Sequence, residues 1–296
     1  MQLTKSFSES LKTAAVLTLA AVSFLAISIT ASAQSSDEKK TDRFQRTFAL
    51  NSGGTLVVDN YKGAIRVTAG DGNQVVVDVH KHFDGRESDR KWWMDNLEIN
   101  FHNDASRVEV AVKYPSTNCV FCMQMRDYTA EVELEIRVPR QTSVKIDSYK
   151  PEIRINGVQG DIRIDSYKSP IIIESTTGGI RIDTYKDTIK LRDVTLRGTL
   201  DIKSYKADTE VFARSLGDNT ELETDKGTIL IRVPRDAGFD VDFSGGHHSS
   251  FHSDFPLTTE TGRHLDHDVR GTVNKGGSHL RLRTERGSVS LERASL

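Results

Sequence analysis

Two cysteines separated by two residues form the sharpest chemical motif of this sequence. Cys119 and Cys122 are the only cysteines among its 296 residues. Such a pair can form a disulfide, bind a metal ion or exchange thiols. It lies in a predicted loop between strands, beside Met123 and Met125, rather than at the helix N-terminus that redox-active pairs occupy. A structural disulfide is therefore the favoured prediction, with copper or zinc binding and redox catalysis as alternatives.

Histidines are concentrated near the C-terminus, beside several aspartates. Most of them fall in one stretch of the chain: His247, His248, His252, His264, His267 and His279. Imidazoles and carboxylates together can bind zinc or nickel. The segment HHSSFH lies in a Gly/Ser-rich connector without a regular ligand spacing, so solvated loop histidines are the favoured interpretation. His247, His248 and His252 remain weak candidates for a metal site.

Tyrosine and lysine recur together at one point of a repeat. The tyrosines are Tyr149, Tyr167, Tyr185 and Tyr205, and the lysines that follow them are Lys150, Lys168, Lys186 and Lys206. Outward tyrosines at this spacing could stack on sugar rings or contact a partner surface. They could equally stack on one another and stabilise the fold, which is the favoured interpretation. The eight residues are the candidate binding stripe.

Signatures of catalysis are otherwise absent from the sequence. It contains no G-x-S-x-G, no P-loop and no dinucleotide-binding glycine pattern. Asp165, Asp183 and Lys203 could meet on one face, as a polysaccharide-cleaving β-helix would require. Regular ladders rarely serve catalysis, so we predict no enzymatic activity, no catalytic residues and no cofactor.

The N-terminal segment, 1–33, reads as an export signal. Lys5 and Lys12 precede an apolar run over residues 14–29, and a small-x-small motif ends at Ala33. We expect cleavage there, leaving a chain that starts at Gln34 without a stable membrane span and is periplasmic, secreted or on the cell surface. Residues 34–43 are polar and predict a disordered leader.

Charge is nearly balanced along the chain. There are 40 basic and 42 acidic side chains, a formal net charge of −2. This balance gives no bulk attraction to nucleic acid, so no nucleic-acid partner is expected.

Residues 44–140 predict an N-terminal β region with one short helix and the C-x-x-C loop. The segment YTAEVELEIRVP alternates apolar and charged residues, which indicates a half-buried strand. In GRESDRKWWMDN, Ser88 could cap a short helix carrying Trp92, Trp93 and Met94, whose tryptophans could close one end of the core.

Residues 141–296 are dominated by a repeat and a closing segment. KIDSYK, RIDSYK, RIDTYK and DIKSYK begin at residues 145, 163, 181 and 201, and ELETDK and RLRTER follow at 221 and 281. NYK at residues 60–62 resembles an early member. A unit of this length cannot bury its own apolar face and must stack on its neighbours. The sequence therefore predicts an all-β fold, a β-helix-like β-solenoid of 18–20-residue coils.

Parity predicts how successive coils align. One inward row should run through Val144, Ile162, Ile180 and Leu200 and continue through Leu222 and Leu280. Two outward rows carry opposite charges, which should help to set the register.

These repeats resemble the bacterial putative-adhesin family, exported β-solenoid domains of unknown function. GDIRIDSYK and GGIRIDTYK keep the family's strand pattern but place Tyr-Lys where Ser-Gly is usual. The stretches FDVDFSGGHHSSFHSDFPL and RGTVNKGGSHLRLRTERGSVSLER look like its closing segment. The resemblance covers most of the chain after the signal and implies a fold and an envelope location, with no catalytic residues to transfer.

The sequence thus favours an exported, non-enzymatic binding or structural module of the cell envelope. Its expected partner is an envelope protein or a glycan, and exposed strand edges would favour self-association. The alternatives are a carbohydrate-active β-helix enzyme and a metal- or redox-handling envelope protein.

Overall fold

Strands dominate the protein, whose computed structural model describes residues 42–115, 129–258 and 267–294. These residues form one sheet system of seventeen strands and contain one α-helix. The strands are β1 (Arg43–Ala49), β2 (Thr55–Asn60), β3 (Ile65–Gly70), β4 (Gln74–Asp84), β5 (Glu98–Asn103), β6 (Arg107–Lys113), β7 (Thr129–Pro139), β8 (Ser143–Ser148), β9 (Ile153–Asn156), β10 (Ile162–Lys168), β11 (Ile171–Glu174), β12 (Thr177–Ser215), β13 (Asn219–Lys226), β14 (Ile229–Val233), β15 (Phe239–Ser253), β16 (Asp268–Val273) and β17 (Ser278–Arg293). The helix, α1, spans Glu87–Asn96. The predicted all-β fold is confirmed.

Successive repeats stack in parallel, as a solenoid requires. Strand β10 pairs with β12 in the register Ile162↔Ile180 and Ile164↔Ile182, so each isoleucine lies beside its counterpart in the next repeat. The second strand of each coil pairs likewise, with Ile171 opposite Ile189. These isoleucines are at most 2% exposed and belong to one core cluster. Each coil therefore contributes two strand segments whose apolar faces meet inside the stack, and β12 alone supplies both segments of two successive coils.

Chain order and spatial order differ at both ends of the stack. Strands β2 and β3 pair with β8 and β9 on one side, and with β6 and β7 on the other. The NYK segment therefore does belong to the repeat, with Asn60 opposite Ser148. At the other end, β17 lies between the β13–β14 coil and β15. Strands from before and after residue 140 therefore belong to the same sheet system.

One predicted inward row is wrong at a single coil. Leu200 pairs with Thr220, which pairs with Leu280, whereas Leu222 pairs with Ile202 two residues further along the strand. Thr220 is 1% exposed. Residues two apart on a strand share a face, so parity alone could not decide whether Thr220 or Leu222 lies beside Leu200.

Antiparallel strands flank the parallel coils at both ends. Strand β4 pairs with β7 and with β1, and β5 pairs with β6. At the opposite end β16 pairs with β15. An antiparallel neighbour satisfies backbone groups that the terminal coil would otherwise expose. Self-association through the remaining edges stays a prediction.

Helix α1 connects β4 to β5 and packs through its C-terminal half. Trp93 and Met94 are buried, and the Trp93 ring lies 6.4 Å from that of Phe83. The predicted cap at Ser88 is wrong, because the helix begins at Glu87 and Arg86 occupies the N-cap position, two residues before Ser88. Among the described residues, no helix combines the length and apolar character needed to cross a membrane.

Candidate functional site

Five tyrosine rings form a continuous stack along one corner of the solenoid. Four of them were predicted, and Tyr61 adds a fifth at the N-terminal end. Successive centroids lie 4.6, 4.9, 4.8 and 4.9 Å apart and the rings are within 13° of parallel. This spacing is that of neighbouring strands, so in-register parallel pairing imposes it. We call Tyr61, Tyr149, Tyr167, Tyr185 and Tyr205 the tyrosine ladder.

Ring faces within the ladder are turned toward one another. Only 45% of Tyr61 and 41% each of Tyr185 and Tyr205 is exposed, and the other two rings are partly buried. A ligand at the internal rungs would therefore meet ring edges and hydroxyl groups, rather than the open face on which a sugar stacks. The inner part of the ladder thus serves the fold through ring–ring contact.

Tyr114 closes the N-terminal end of the ladder, and the repeat pattern of the sequence did not predict this position. Its ring meets Tyr61 edge-on, with centroids 6.0 Å apart. Its hydroxyl donates to the Lys62 carbonyl at 2.6 Å and lies 3.0 Å from Asn60 Oδ1. Burial raises the pKa of Tyr114 well above its ordinary value. The amide of Asn60 in turn donates to the Val132 carbonyl at 2.8 Å.

At the C-terminal end the ladder gives way to charged side chains. The register Lys206↔Lys226 places Asp225, rather than another ring, at the coil after Tyr205. Lys226 Nζ donates to the Tyr205 hydroxyl at 3.1 Å and lies 5.1 Å from its ring centroid. The outer face of Tyr205 therefore adjoins an ammonium group instead of an aromatic ring.

The predicted lysine row follows the ladder and is longer than expected. Lys168 pairs with Lys186, Lys206 with Lys226, and Lys226 with Arg286, while Lys62 joins at the start. Several ammonium groups lie over neighbouring rings, including Lys150 Nζ at 5.5 Å and Lys168 Nζ at 4.9 Å from the centroids. These cation–π contacts hold part of the lysine row against the ladder.

A row of carboxylates runs parallel to the ladder, two residues before each of its first four tyrosines. Asp59, Asp147, Asp165 and Asp183 occupy consecutive coils. Burial raises the pKa of Asp59, and the neighbouring Asp147 and Glu109 charges raise it further. In later coils the row changes to Lys203, Glu223 and Arg283. The corner therefore offers carboxylates at one end and mixed charges at the other.

A groove of about 660 Å³ opens where the ladder ends. Its lining combines the last two tyrosines with carboxylates, bases and small hydroxyl side chains. The lining residues are Ser166, Asp183, Thr184, Tyr185, Lys203, Ser204, Tyr205, Glu223, Thr224, Asp225, Ser244, Gly245, Arg283, Thr284 and Glu285. Asp183 and Lys203 of the postulated catalytic group are among them. The third member, Asp165, lies in the preceding coil, opposite Asp183.

The histidine candidates are spread along β15 rather than gathered. His248 pairs with Arg286 and His252 with Ser290, four residues further on. His252 Nε2 lies 3.4 Å from Asp254 Oδ1, and the His247 ring meets that of His267 at 5.3 Å. Within the ranges described, these candidates do not form a three-ligand cluster. Cys119, Cys122 and His264 lie outside the described residues, so the disulfide stays a prediction.

Comparisons with known proteins identify one family. The family model described as Toastrack DUF4097 matches residues 26–292. Curated proteins yielded no match. Among solved structures, a putative cell adhesion protein from Clostridium sporogenes aligns at 8% identity and a TM-score of 0.37, covering 85% of this chain and 100% of its own. A putative adhesin from Bacteroides fragilis aligns at 9% identity and a TM-score of 0.38, covering 84% and 97% of the two chains.

Proposed function

Because the chain belongs to the Toastrack DUF4097 family, as its repeats predicted, we propose that it is an exported, non-enzymatic binding module of the cell envelope. Its signal would be residues 1–33, with cleavage near Ala33. Its ligand would be an extended glycan bound in the groove at the C-terminal end of the tyrosine ladder. The single observation that carries this proposal is the composition of that groove.

The groove combines the groups that recognise polyhydroxylated chains. Carboxylates of Asp183, Glu223 and Asp225 accept hydrogen bonds from hydroxyl groups, and Lys203 and Arg283 donate to ring oxygens or acidic sugars. The two tyrosines add apolar edges and phenolic hydroxyls. A volume of about 660 Å³ is within the range of ligand sites, and the open shape suits a segment of a longer chain.

Regular coils support binding rather than turnover. The groove residues continue rows that run the length of the stack, so neighbouring groups are held at the strand spacing. A rigid array of this kind presents many weak polar contacts to a repeating polymer. Specificity would come from the mixed charges that replace the aspartate row beyond Asp183.

A glycan array probed with the chain from Gln34 to Leu296 tests the proposal. We expect retention on a subset of polysaccharides, and Tyr205→Leu or Asp225→Asn should weaken it at least tenfold per folded molecule. Tyr149→Leu, which changes the same ladder away from the groove, is the matched control and should bind as the wild type does. Absence of retention on any glycan, or equal weakening by the control, would refute the groove. Release of reducing ends would instead establish an enzyme.

Export is tested separately by the N-terminus of the protein recovered from cells. Mass spectrometry of envelope and medium fractions should find a chain beginning at Gln34. A chain that retains residues 1–33 in the cytoplasm would refute export.

A further inference from the structure

Two histidines and a glutamate converge on the antiparallel strands that flank the N-terminal coil. His80 and His82 lie two residues apart on β4 and therefore share a face. Glu133 on β7 stands directly opposite His80. The three side chains can each direct one ligand atom to a common point, because these atoms all lie within 4.8 Å of one another.

The separations are close to those of a metal site. His82 Nε2 lies 3.7 Å from Glu133 Oε2. In a tetrahedral zinc site with bonds of about 2.0–2.1 Å, adjacent ligand atoms are about 3.4 Å apart. Side-chain rotations that move these atoms by about an ångström would therefore complete the coordination, with no change in the strands.

A second observation points to a ligand here. His80 Nε2 is buried and has no hydrogen-bond partner. A buried imidazole nitrogen without a partner is unfavourable in the folded protein, and binding a cation would satisfy it. A neutral imidazole coordinates a metal ion through the lone pair of a nitrogen of this kind.

Local charge both opposes and favours a cation. Arg43 stands opposite His80 on β1, and Arg66 Nη1 lies 3.8 Å from Glu133 Oε2. Arg66 also approaches Glu135, at 3.9 Å, so it keeps a partner if Glu133 turns to a metal. Further carboxylates on the same face come from Asp78, opposite Glu135, and from Glu131, opposite His82. Arg137 adds a third guanidinium group on this face, 3.4 Å from Asp78 Oδ2. The four carboxylates therefore outnumber the guanidinium groups by one.

We propose that His80, His82 and Glu133 bind a zinc ion that cross-links β4 to β7. Two imidazoles and one carboxylate form a donor set that zinc accepts, whereas calcium and magnesium prefer oxygen ligands alone. Three protein ligands leave a fourth position for water. The ion would fasten the antiparallel β4 strand onto the terminal coil, so that zinc stabilises the N-terminal end of the solenoid.

Calorimetric titration of the metal-free chain from Gln34 to Leu296 with zinc chloride tests this site. We expect one zinc per chain and a melting temperature that rises with zinc concentration. His82→Gln and Glu133→Gln should each weaken binding at least tenfold and remove the thermal shift. His82 and Glu133 are partly exposed, so both variants should keep the fold, which circular dichroism checks.

Other potential ligands require matched controls. His247→Gln with His248→Gln should leave zinc affinity unchanged, and so should Cys119→Ser with Cys122→Ser. Unchanged affinity in His82→Gln would overturn the proposal, as would loss of binding in either control pair. Absence of saturable binding by the wild type would overturn it as well.

Discussion

Replacing the central ring of the tyrosine ladder should cost more stability than replacing its last ring. Tyr167 stacks on two neighbours, Tyr149 at 4.9 Å and Tyr185 at 4.8 Å. Tyr205 stacks on one, Tyr185 at 4.9 Å. Each ring also has one ammonium group over it, at 4.9 and 5.1 Å respectively, so the cation–π contribution is similar. The two positions differ in their number of stacked neighbours and in the exposed hydrogen bond that the Tyr205 hydroxyl accepts from Lys226 Nζ.

The magnitude follows from the pair count. An aromatic pair contributes about 0.5–1.5 kcal/mol beyond its buried area. Tyr167→Leu removes two pairs and should lower the free energy of unfolding by about 1–3 kcal/mol, whereas Tyr205→Leu removes one and should lower it by about 0.5–1.5 kcal/mol. Leucine keeps an apolar side chain at the corner, so the difference between the variants reports one ring–ring contact, reduced by the exposed Lys226 hydrogen bond that Tyr205→Leu also removes.

Equilibrium urea unfolding of the chain from Gln34 to Leu296 provides the measurement. Tryptophan fluorescence and far-ultraviolet circular dichroism should be followed together, since coincident transitions justify a single free energy. A double-mutant cycle with Tyr167→Leu and Tyr185→Leu isolates their pair and should give a coupling of about 0.5–1.5 kcal/mol.

Two results would refute this reasoning. Equal or larger destabilisation by Tyr205→Leu would show that neighbour number does not decide the cost. A coupling indistinguishable from zero would show that the rings are close only because the strands are, without a stabilising contact of their own.

Three further substitutions probe other parts of the corner. Gly227→Ala should lower the free energy of unfolding by more than about 2 kcal/mol, as measured in urea. Gly227 has a φ of +134°, and an added Cβ would overlap the carbonyl oxygen of Ala207. Asp59→Asn should stabilise the protein at pH 7. The pKa of Asp59 is raised by burial and by Asp147, so its ionisation opposes folding, and the gain should vanish as pH falls below the unfolded-state pKa. Tyr114→Phe should lower the free energy of unfolding by about 1–3 kcal/mol, because it removes a buried hydrogen-bond donor. Burial raises the pKa of Tyr114, so ionisation of this residue should lower wild-type stability above about pH 10, and the variant should lack that decrease.

The glycine and aspartate substitutions each have a control of known sign. Gly198, at a φ of +95°, has no atom within 4 Å of an added Cβ, so Gly198→Ala should cost less than Gly227→Ala. The pKa of Asp193 is lowered by its hydrogen bond from Arg214, so Asp193→Asn should destabilise at pH 7 and lose that effect in acid. Equal costs at the two glycines, the same sign at the two aspartates, or an unchanged alkaline profile in Tyr114→Phe would contradict the respective argument.

Local pattern predicted the repeating part of the molecule well. Alternation of apolar and polar residues assigns inward and outward faces strand by strand, and turns that recur at a regular spacing align one coil on the next. For this reason the isoleucine rows, the two outward charged rows and four rings of the ladder could be predicted before any contact was known. The solenoid itself followed from a unit too short to bury its own apolar face.

Spatial neighbours were decided only by the tertiary structure. An alternating strand specifies which face is buried, but any strand with the same alternation can lie beside it. Hence the sequence could not reveal that β6 and β7 stack outside β2 and β3, or that β17 inserts before β15. These long-range pairings add Tyr114 to the end of the ladder and bring His80 opposite Glu133. Residues that recur at one point of the repeat could therefore be predicted from the sequence. Sites assembled from different coils could not, because the order in which the coils stack depends on packing contacts throughout the fold.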